Sequence, residues 1–229
     1  MNDVLHVLLW LLTKQEEDAD EDEWNVSMSA ATCLTLYAQC VRNIIIGPIV
    51  PFVESHIQNT DWHYREASVM AFGSILDGPD MAVVMPLVDR ALPTLIGMMT
   101  DPMVQVKDTV AWTLGRVCEL LIGCIKPEIH LRELISALVL GLQDNPRIVG
   151  NCCWALMNLA EQTGPVIGSD APTSPLSMYF EDITKALLQF TERATNESNG
   201  RTSAYEATSS LVMFSANVSD LNVYVASEY

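Results

Sequence analysis

The sequence predicts an all-α fold, in which helix pairs stack into an α-solenoid that extends over residues 1–229. Similar segments recur along the chain at steps of 36, 42, 42 and 52 residues. A second helical pattern precedes each recurring segment, so the repeating unit is a helix pair of about forty residues. The aligned positions that define these steps are Ser29, Arg65, Lys107, Val149 and Arg201.

The turn inside each pair has recurring chemistry. Asp101-Pro102 and Asn145-Pro146 place a capping side chain before a proline at a helix start, where the missing N–H costs no hydrogen bond. A lone helix pair cannot bury both of its faces, so neighbouring pairs stack around a shared core. These features are typical of HEAT repeats and predict about five of them. A compact bundle, the alternative fold, would not require such turns at a fixed period.

The expected pairs leave an insertion and a tail outside the repeats. Residues 164–175 are rich in glycine, proline and serine, which explains the longer last step. Residues 216–229 are expected to form an irregular tail. The helix pairs are expected at about 1–41, 48–77, 83–121, 128–162 and 176–215.

The composition is strongly acidic, with 29 Asp and Glu against 12 Lys and Arg and a formal net charge of −17. Nucleic acids and anionic membranes attract clustered basic residues, so neither is an expected partner. The longest uncharged stretches are interrupted by polar residues, proline or glycine, and membrane insertion is not expected. The charge favours a basic protein partner, because opposite electric fields speed encounter.

No motif in the sequence predicts catalysis, a metal site or a cofactor. The four histidines are scattered, none of the six cysteines forms a CxxC pair, and glycine-rich nucleotide loops are absent. We therefore expect a binding protein that is not an enzyme and uses no cofactor. The cysteines are expected to be reduced and mostly buried.

Two successive repeat helices are predicted to leave an open stripe opposite their core stripe. The core stripe of the helix at 102–121 is Val106, Val110, Thr113, Leu114, Val117 and Leu121. Its open stripe is Trp112, Gly115, Arg116 and Glu119. The core stripe of the equivalent helix in the next repeat is Cys152, Ala155, Leu156 and Leu159. Its open stripe is Asn151, Trp154, Asn158 and Glu161.

The two open stripes carry the same pair of side chains. Trp112 and Trp154 are 42 residues apart, and an acid, Glu119 or Glu161, follows each of them after seven residues. An indole ring beside a carboxylate suits Lys or Arg, because the ring contacts the stem or the guanidinium face and the acid binds the charge. We therefore predict a ladder that binds a basic segment. The alternative is that each tryptophan packs against the neighbouring repeat.

A dense acidic run precedes the first aligned helix. Seven of the eight residues from Glu16 to Glu23 are acidic, and charge repulsion predicts an exposed loop there. This loop and the adjoining Trp24 are expected to meet a basic partner, with a merely solubilising loop as the alternative. Trp10 and Trp62 lie outside both patterns and are expected to be packing residues. The acidic side chains of the loop are Glu16, Glu17, Asp18, Asp20, Glu21, Asp22 and Glu23.

Four strings of residues carry a family resemblance through their wording, order and spacing. They are an acidic run ending in Asp-Glu-Trp-Asn, then NTDWHYREASVMAFGSILDGP, KDTVAWTLGRVCELL and NCCWALMNLAE. Together they resemble the importin-β family of nuclear import receptors. The resemblance is continuous from about Leu12 to Gln162 and resumes at RTSAYEA in residues 201–207.

The resemblance implies specific partners. Members of the family carry cargo through nuclear pores and wrap around the basic importin-β-binding segment of importin-α, and the GTP form of Ran releases cargo in the nucleus. The implied locations are the cytoplasm, the nucleus and the pore, with nucleoporins and cargo as further partners. The family's acidic loop, which contacts Ran and lies near the basic segment, corresponds to Glu16–Glu23. Family residues on the inner wall correspond to Trp24, Trp112, Trp154, Glu119 and Glu161.

Members of the family form a far longer superhelix, so the chain is expected to be a fragment or a truncated paralogue. By resemblance it lacks the repeats that grip most of Ran and those that clasp the helical part of the basic segment. Two alternatives remain open. One is a HEAT-repeat scaffold of another class, such as a phosphatase scaffold subunit, which would bind its partners at inter-helix turns. The other is a non-functional truncated copy.

Overall fold

The computed structural model describes residues 2–16, 24–164, 174–193 and 198–214. In this part of the chain we find ten α-helices, a few short 3₁₀ or π turns and no strand. The helices are α1 (Asn2–Leu12), α2 (Val26–Val41), α3 (Ile46–His56), α4 (Trp62–Ser74), α5 (Met81–Met98), α6 (Val104–Leu120), α7 (Arg132–Gly141), α8 (Pro146–Thr163), α9 (Phe180–Thr191) and α10 (Ser198–Met213).

The chain divides into two compact units, residues 1–116 and 117–229, and the division falls within α6. In the first unit α1 packs on α2, α3 packs on α4, and α2 contacts α4. In the second unit α7 packs on α8, α9 packs on α10, and α8 contacts α10. The second helices of successive pairs therefore contact each other within each unit, as stacked repeats require. The predicted all-α fold of HEAT repeats is confirmed.

The core of the first unit is made of small and branched apolar side chains that recur on one face of each helix. Leu5, Leu9 and Leu12 of α1 meet the buried face of α2, where Leu34 and Ala38 are fully enclosed. Alanines on α2 and α4 keep these helices close, since a methyl group adds little thickness between two backbones. Ile45 and Ile49 extend the same cluster to the start of α3.

An ion pair ties the second helix pair to the third. Arg65 of α4 donates to both carboxylate oxygens of Asp101, at 2.8 and 2.9 Å, and the two side chains are only 14% and 8% exposed. Hydrogen bonding to Asp101 raises the pKa of Arg65. Arg65 also donates to the carbonyls of Asn59 and Thr60 at 2.9 and 3.1 Å, and Asp101 accepts from the Met103 amide. One guanidinium thus links two inner turns.

The predicted turn chemistry holds at one proline and differs at the other. Asn145 caps α8 by accepting from the Arg147 amide at 3.1 Å, with Pro146 as the first helical residue. Pro102, in contrast, lies two residues before α6, which begins at Val104. The carboxylate of Asp101 faces Arg65 and the Met103 amide, so the turn extends by one further residue before the helix starts.

A glycine allows the loop after α4 to approach α2 closely. Gly78 has a φ of +136°, and a Cβ placed on it would lie 2.7 Å from the carbonyl carbon and oxygen of Ala38. Beside it, the Asn43 side chain donates to the Asp80 carboxylate and accepts from the Asp80 amide, both at 2.7 Å. The loop therefore rests directly on the backbone of the preceding repeat.

Within the described residues, two segments are long and apolar enough to cross a membrane by length and composition alone, Val26–His56 and Met81–Met98. The first joins α2 to α3 through a 3₁₀ turn, where Arg42 has a positive φ of 52°. The second is α5, in which buried residues recur at three- and four-residue steps, as in an amphipathic repeat helix. They are Val84, Val88, Leu92 and Leu95. A buried stripe accounts for the apolar composition of α5.

Replacing Gly78 by alanine should lower the free energy of unfolding by about 1–3 kcal/mol, because the backbone conformation is strained for any residue with a Cβ and the methyl group meets Ala38. Urea unfolding followed by circular dichroism measures the change. Gly97 on α5 is the matched control, because a Cβ there meets nothing within 4 Å. Gly97→Ala should stabilise by up to about 1 kcal/mol through helix propensity. Equal effects of the two substitutions would contradict this account.

Replacing Asp101 by alanine should cost about 1.5–3 kcal/mol, because the guanidinium of Arg65 loses two charge-assisted hydrogen bonds at a largely enclosed site. The pair between Arg90 and Glu54 has the same chemistry at 2.8 Å but is 66% and 58% exposed. Glu54→Ala should therefore cost less than about 1 kcal/mol. Chemical unfolding of both variants decides the point, and a loss at Glu54 as large as that at Asp101 would refute the role given to burial.

Candidate partner-binding surface

Trp24 lies directly before α2 and is 66% exposed. Its indole N–H donates to the Ser29 hydroxyl at 2.6 Å, and that hydroxyl donates to the Asn25 carbonyl at 3.0 Å. Asn25 is the N-cap of α2 and accepts from the Met28 amide at 2.9 Å. The ring is therefore tied to the first turn of the helix while most of its surface stays open to solvent.

Only the first residue of the predicted acidic loop belongs to the described part of the chain. Glu16 is exposed there, and the residue before it is anchored to the core. The amide of Gln15 donates to the His63 carbonyl at 3.0 Å and to the carboxylate of Glu66. Glu66 is buried and also accepts from the Thr109 hydroxyl at 2.6 Å. The other acidic residues of the loop, Glu17, Asp18, Asp20, Glu21, Asp22 and Glu23, lie outside the described residues.

The core stripe predicted for α6 is confirmed, and the open stripe is narrower than predicted. Gly115 is buried, Trp112 is half-buried, and Glu119 in the last turn is exposed. Trp112 lies against α4, where a Cβ on Gly73 would lie 2.5 Å from its Cζ3 atom. A neighbouring helix thus covers part of the stripe, which a single-helix periodicity does not reveal. The buried core residues are Val106, Val110, Thr113, Leu114, Val117 and, just after the helix, Leu121.

The ring of Trp112 already has a cationic neighbour from its own helix. The guanidinium carbon of Arg116 lies 5.7 Å from the ring centroid, one helical turn along α6. Nε and Nη2 of Arg116 are buried and have no hydrogen-bond partner within the described residues. The indole face is therefore the main favourable contact of this cation. A basic side chain from a partner would meet Arg116 as a like charge at this ring.

On α8 the predicted core stripe is confirmed, with Cys152, Ala155, Leu156 and Leu159 all buried. Trp154 is half-buried and Glu161 is exposed, two turns apart on one helix. Asn151 is half-buried.

The placement of Asn158 on the open stripe is wrong. Its side chain is only 8% exposed, and its Nδ2 has no acceptor within the described residues. The physical reason is that both α7 and α10 pack against α8. Two neighbouring helices therefore cover α8, and less of its surface stays open to solvent.

Two tryptophans outside these stripes differ from each other. Trp62 is buried at the start of α4 and stacks on His63 with a centroid distance of 3.9 Å, so it is a packing residue as predicted. Trp10 is 57% exposed on α1, with the Lys14 ammonium 4.5 Å from its ring centroid, which contradicts the packing role expected for it. Trp10 lines an open pocket together with Pro51 and Phe52 of α3.

The cysteines divide into buried and exposed groups, and none forms a disulfide in the described part of the chain. Burial raises the pKa of the Cys118 and Cys153 thiols to about 12, so both stay protonated at neutral pH. Cys33 and Cys40 are exposed on α2. The described residues contain no group of three side chains that could hold a metal ion. The buried thiols are Cys118, Cys124, Cys152 and Cys153.

An apolar groove runs between α3 and α5, on the first helices of two successive pairs. Its volume is about 180 Å³, and the Arg90–Glu54 ion pair lies at its edge. The sequence patterns did not indicate this groove, because it is formed by residues from three helices. Its apolar lining is Val50, Val53, Ile57, Phe72, Leu87, Ala91 and Leu95.

Sequence reasoning missed two residues that set the geometry of the tryptophans, Ser29 and Gly73. Ser29 lies in the first turn of α2, five residues after Trp24. At this spacing the side chain of a residue that precedes the helix can fold back and contact the first turn. Gly73 contacts Trp112 from another helix, so no spacing within α6 could indicate it. Arg116 follows Trp112 by four residues on α6, and this spacing is the sequence signal that the two side chains contact each other.

Two family models match the sequence. Residues 62–117 match a HEAT-like repeat, and residues 133–226 match the model described as importin subunit beta-1-like, TPR repeats. Importin subunit beta-1 of Schizosaccharomyces pombe is 54% identical over 94% of this chain, and that of Saccharomyces cerevisiae is 41% identical over 95%. The chain spans 25% of the length of each of these curated relatives.

Solved structures show the same similarity. A crystal structure of importin beta matches 95% of this chain and 25% of its own with a TM-score of 0.90 and 44% identity. A structure of Kap95p with RanGDP matches 93% of this chain and 24% of its own, with a TM-score of 0.86 and 41% identity. A Kap95:Nup1 complex matches 98% of this chain and 25% of its own, with a TM-score of 0.88 and 39% identity.

Proposed function

The chain belongs to the importin-β family of nuclear transport receptors, and from this membership we propose that it binds basic import segments through the tryptophan-bearing sides of α6 and α8. One observation carries the proposal. Trp154 is half-buried and Glu161 is exposed two turns later on α8, within a chain of net charge −17. A Lys or Arg stem can lie on the ring while the carboxylate binds its charge.

The two tryptophans are expected to contribute unequally. Arg116 already lies beside the Trp112 ring, so a cation bound there loses part of its attraction to the ring and meets a like charge. No cation from α8 occupies the corresponding place at Trp154 in the described structure. We therefore assign the stronger contact with the basic segment to Trp154.

Ran and the importin-α adaptor are the macromolecular partners of the proposed receptor segment, which would act in the cytoplasm, the nucleus and the pore. The similar structure of Kap95p with RanGDP supports Ran as a partner. The acidic residues from Glu16 to Glu23 supply the negative charge that steers a basic importin-α segment toward Trp24. Cargo with a basic signal is a further partner of the same chemistry.

The groove between α3 and α5 is proposed to bind nucleoporin side chains. The similar Kap95:Nup1 complex supports this class of partner. The groove is lined mainly by apolar residues, and its volume of about 180 Å³ suits one large apolar side chain. A nucleoporin at this groove and a basic import segment on α6 and α8 would then bind different helices.

Trp154→Ala should weaken the binding of a Lys/Arg-rich importin-α peptide about tenfold, and Trp112→Ala should weaken it by less, because a desolvated cation–π contact contributes about 1–2 kcal/mol. Fluorescence anisotropy with a labelled peptide at physiological salt measures both. Trp10→Ala is the matched control, since Trp10 is exposed on α1 outside the open stripes. Binding as tight as the parent's in both variants would refute the ladder, and a larger loss at Trp112 would refute the ranking.

Ala91→Glu should abolish most binding of a Nup1 fragment, because a buried carboxylate in the groove blocks an apolar side chain. Ala82→Glu on the same helix is the control, since Ala82 is exposed and does not line the groove. Binding to the immobilised fragment is compared at equal protein concentration, after circular dichroism has shown equal helix content. Unchanged binding of the Ala91 variant would exclude the groove as the nucleoporin site.

A further inference from the structure

The Trp24 indole is held by a short hydrogen-bond chain at the start of α2. Its N–H donates to the Ser29 hydroxyl at 2.6 Å, and the same hydroxyl donates its own proton to the Asn25 carbonyl at 3.0 Å. A serine hydroxyl has one proton and accepts through its lone pairs, so both bonds form at once. Trp24 is 66% exposed, so burial contributes little to fixing its ring.

The repeat position of Ser29 is occupied in the next repeat by a residue that forms an ion pair. Ser29 aligns with Arg65, which there binds the carboxylate of Asp101 in the following inner turn. A serine side chain is too short for such a bridge. Forty-two residues before Asp101 the chain has Asn59, whose side chain carries no charge and accepts from the Asp61 amide at 2.9 Å. In the first repeat the position is therefore free of the inter-repeat ion pair, and its hydroxyl binds Trp24.

We propose that Ser29 is a positioning residue that holds the exposed indole of Trp24 in one orientation for a basic partner side chain. This rests on the proposed function, in which Trp24 contacts the basic segment. The N–H is already donated to Ser29, so the ring offers its faces and not its donor. Those faces attract an ammonium or guanidinium group or its aliphatic stem, and not a hydrogen-bond acceptor.

Fixing the Trp24 ring in one orientation should raise the affinity for the basic partner. An exposed tryptophan without the hydrogen bond samples several rotamers, and a partner must then select one of them. The ordering cost per side chain corresponds to about three- to tenfold in the dissociation constant. Because the bond lies on the exposed side of α2, its removal should leave the buried stripe of the helix and the unfolding midpoint nearly unchanged.

The test compares substitutions in the full chain by anisotropy of a labelled Lys/Arg-rich peptide. Ser29→Ala should weaken binding about three- to tenfold, and Ser29→Thr, which keeps the hydroxyl, should restore it. Ser27→Ala is the matched control, because the Ser27 hydroxyl binds the Asn25 side chain at 2.8 Å and not Trp24. Trp24→Phe keeps an aromatic face and removes the N–H, so adding Ser29→Ala to it should have no further effect.

A spectroscopic measurement made without peptide completes the test. The indole N–H resonance of Trp24, assigned by its loss in Trp24→Ala, should shift and exchange faster with water in Ser29→Ala but not in Ser27→Ala. An unshifted resonance would overturn the proposal, as would an equal loss of affinity in the Trp24→Phe background. If Trp24→Ala weakens peptide binding and Ser29→Ala does not, positioning by Ser29 is wrong while the proposed function stands. If Trp24→Ala itself binds normally, the role of Trp24 in the proposed function fails first.

Discussion

The ion pair between Arg65 and Asp101 connects two successive helix pairs of the first unit, because Arg65 lies on α4 and Asp101 lies in the turn between α5 and α6. A pair of short helices has an apolar face left over, and stacking covers it only if successive inner turns keep one register. Arg65 donates to the carbonyls of its own turn and to the carboxylate of the next, and that carboxylate also receives the Met103 amide before α6. On the same two helices, Trp112 of α6 lies against Gly73 of α4, the helix that carries Arg65.

Equal spacing in the sequence produced unequal sites in the structure. Trp112 and Trp154 follow the same pattern, yet Arg116 adjoins the first and an amide without an acceptor lies one turn after the second. The difference comes from residue identity at the position four residues later, which is Arg116 in one helix and Asn158 in the other. Tryptophans at equal spacing in successive repeats thus need not have identical surroundings.

The periodic features could be predicted from the sequence, because each depends on one helix at a time. The core stripes of α6 and α8, the cap by Asn145 and the helix-pair period follow from local spacing. The burial of Asn158, the contact of Gly73 with Trp112 and the groove beside Ala91 depend on how neighbouring helices approach. The spacing of residues along one helix contains no information on how closely the neighbouring helices pack. Ser29 lies between these cases, since a repeat alignment places it correctly but does not indicate that its hydroxyl binds Trp24.

The division of the thiols gives this chain a built-in site for chemical labelling. Four cysteines are buried, and the high pKa of Cys118 and Cys153 keeps their sulfur atoms unreactive toward alkylating dyes at neutral pH. Cys33 and Cys40 are the exposed ones, and both lie on α2, the helix that begins beside Trp24. A maleimide fluorophore would therefore attach to one helix of the native protein and report distances from it without any engineered cysteine.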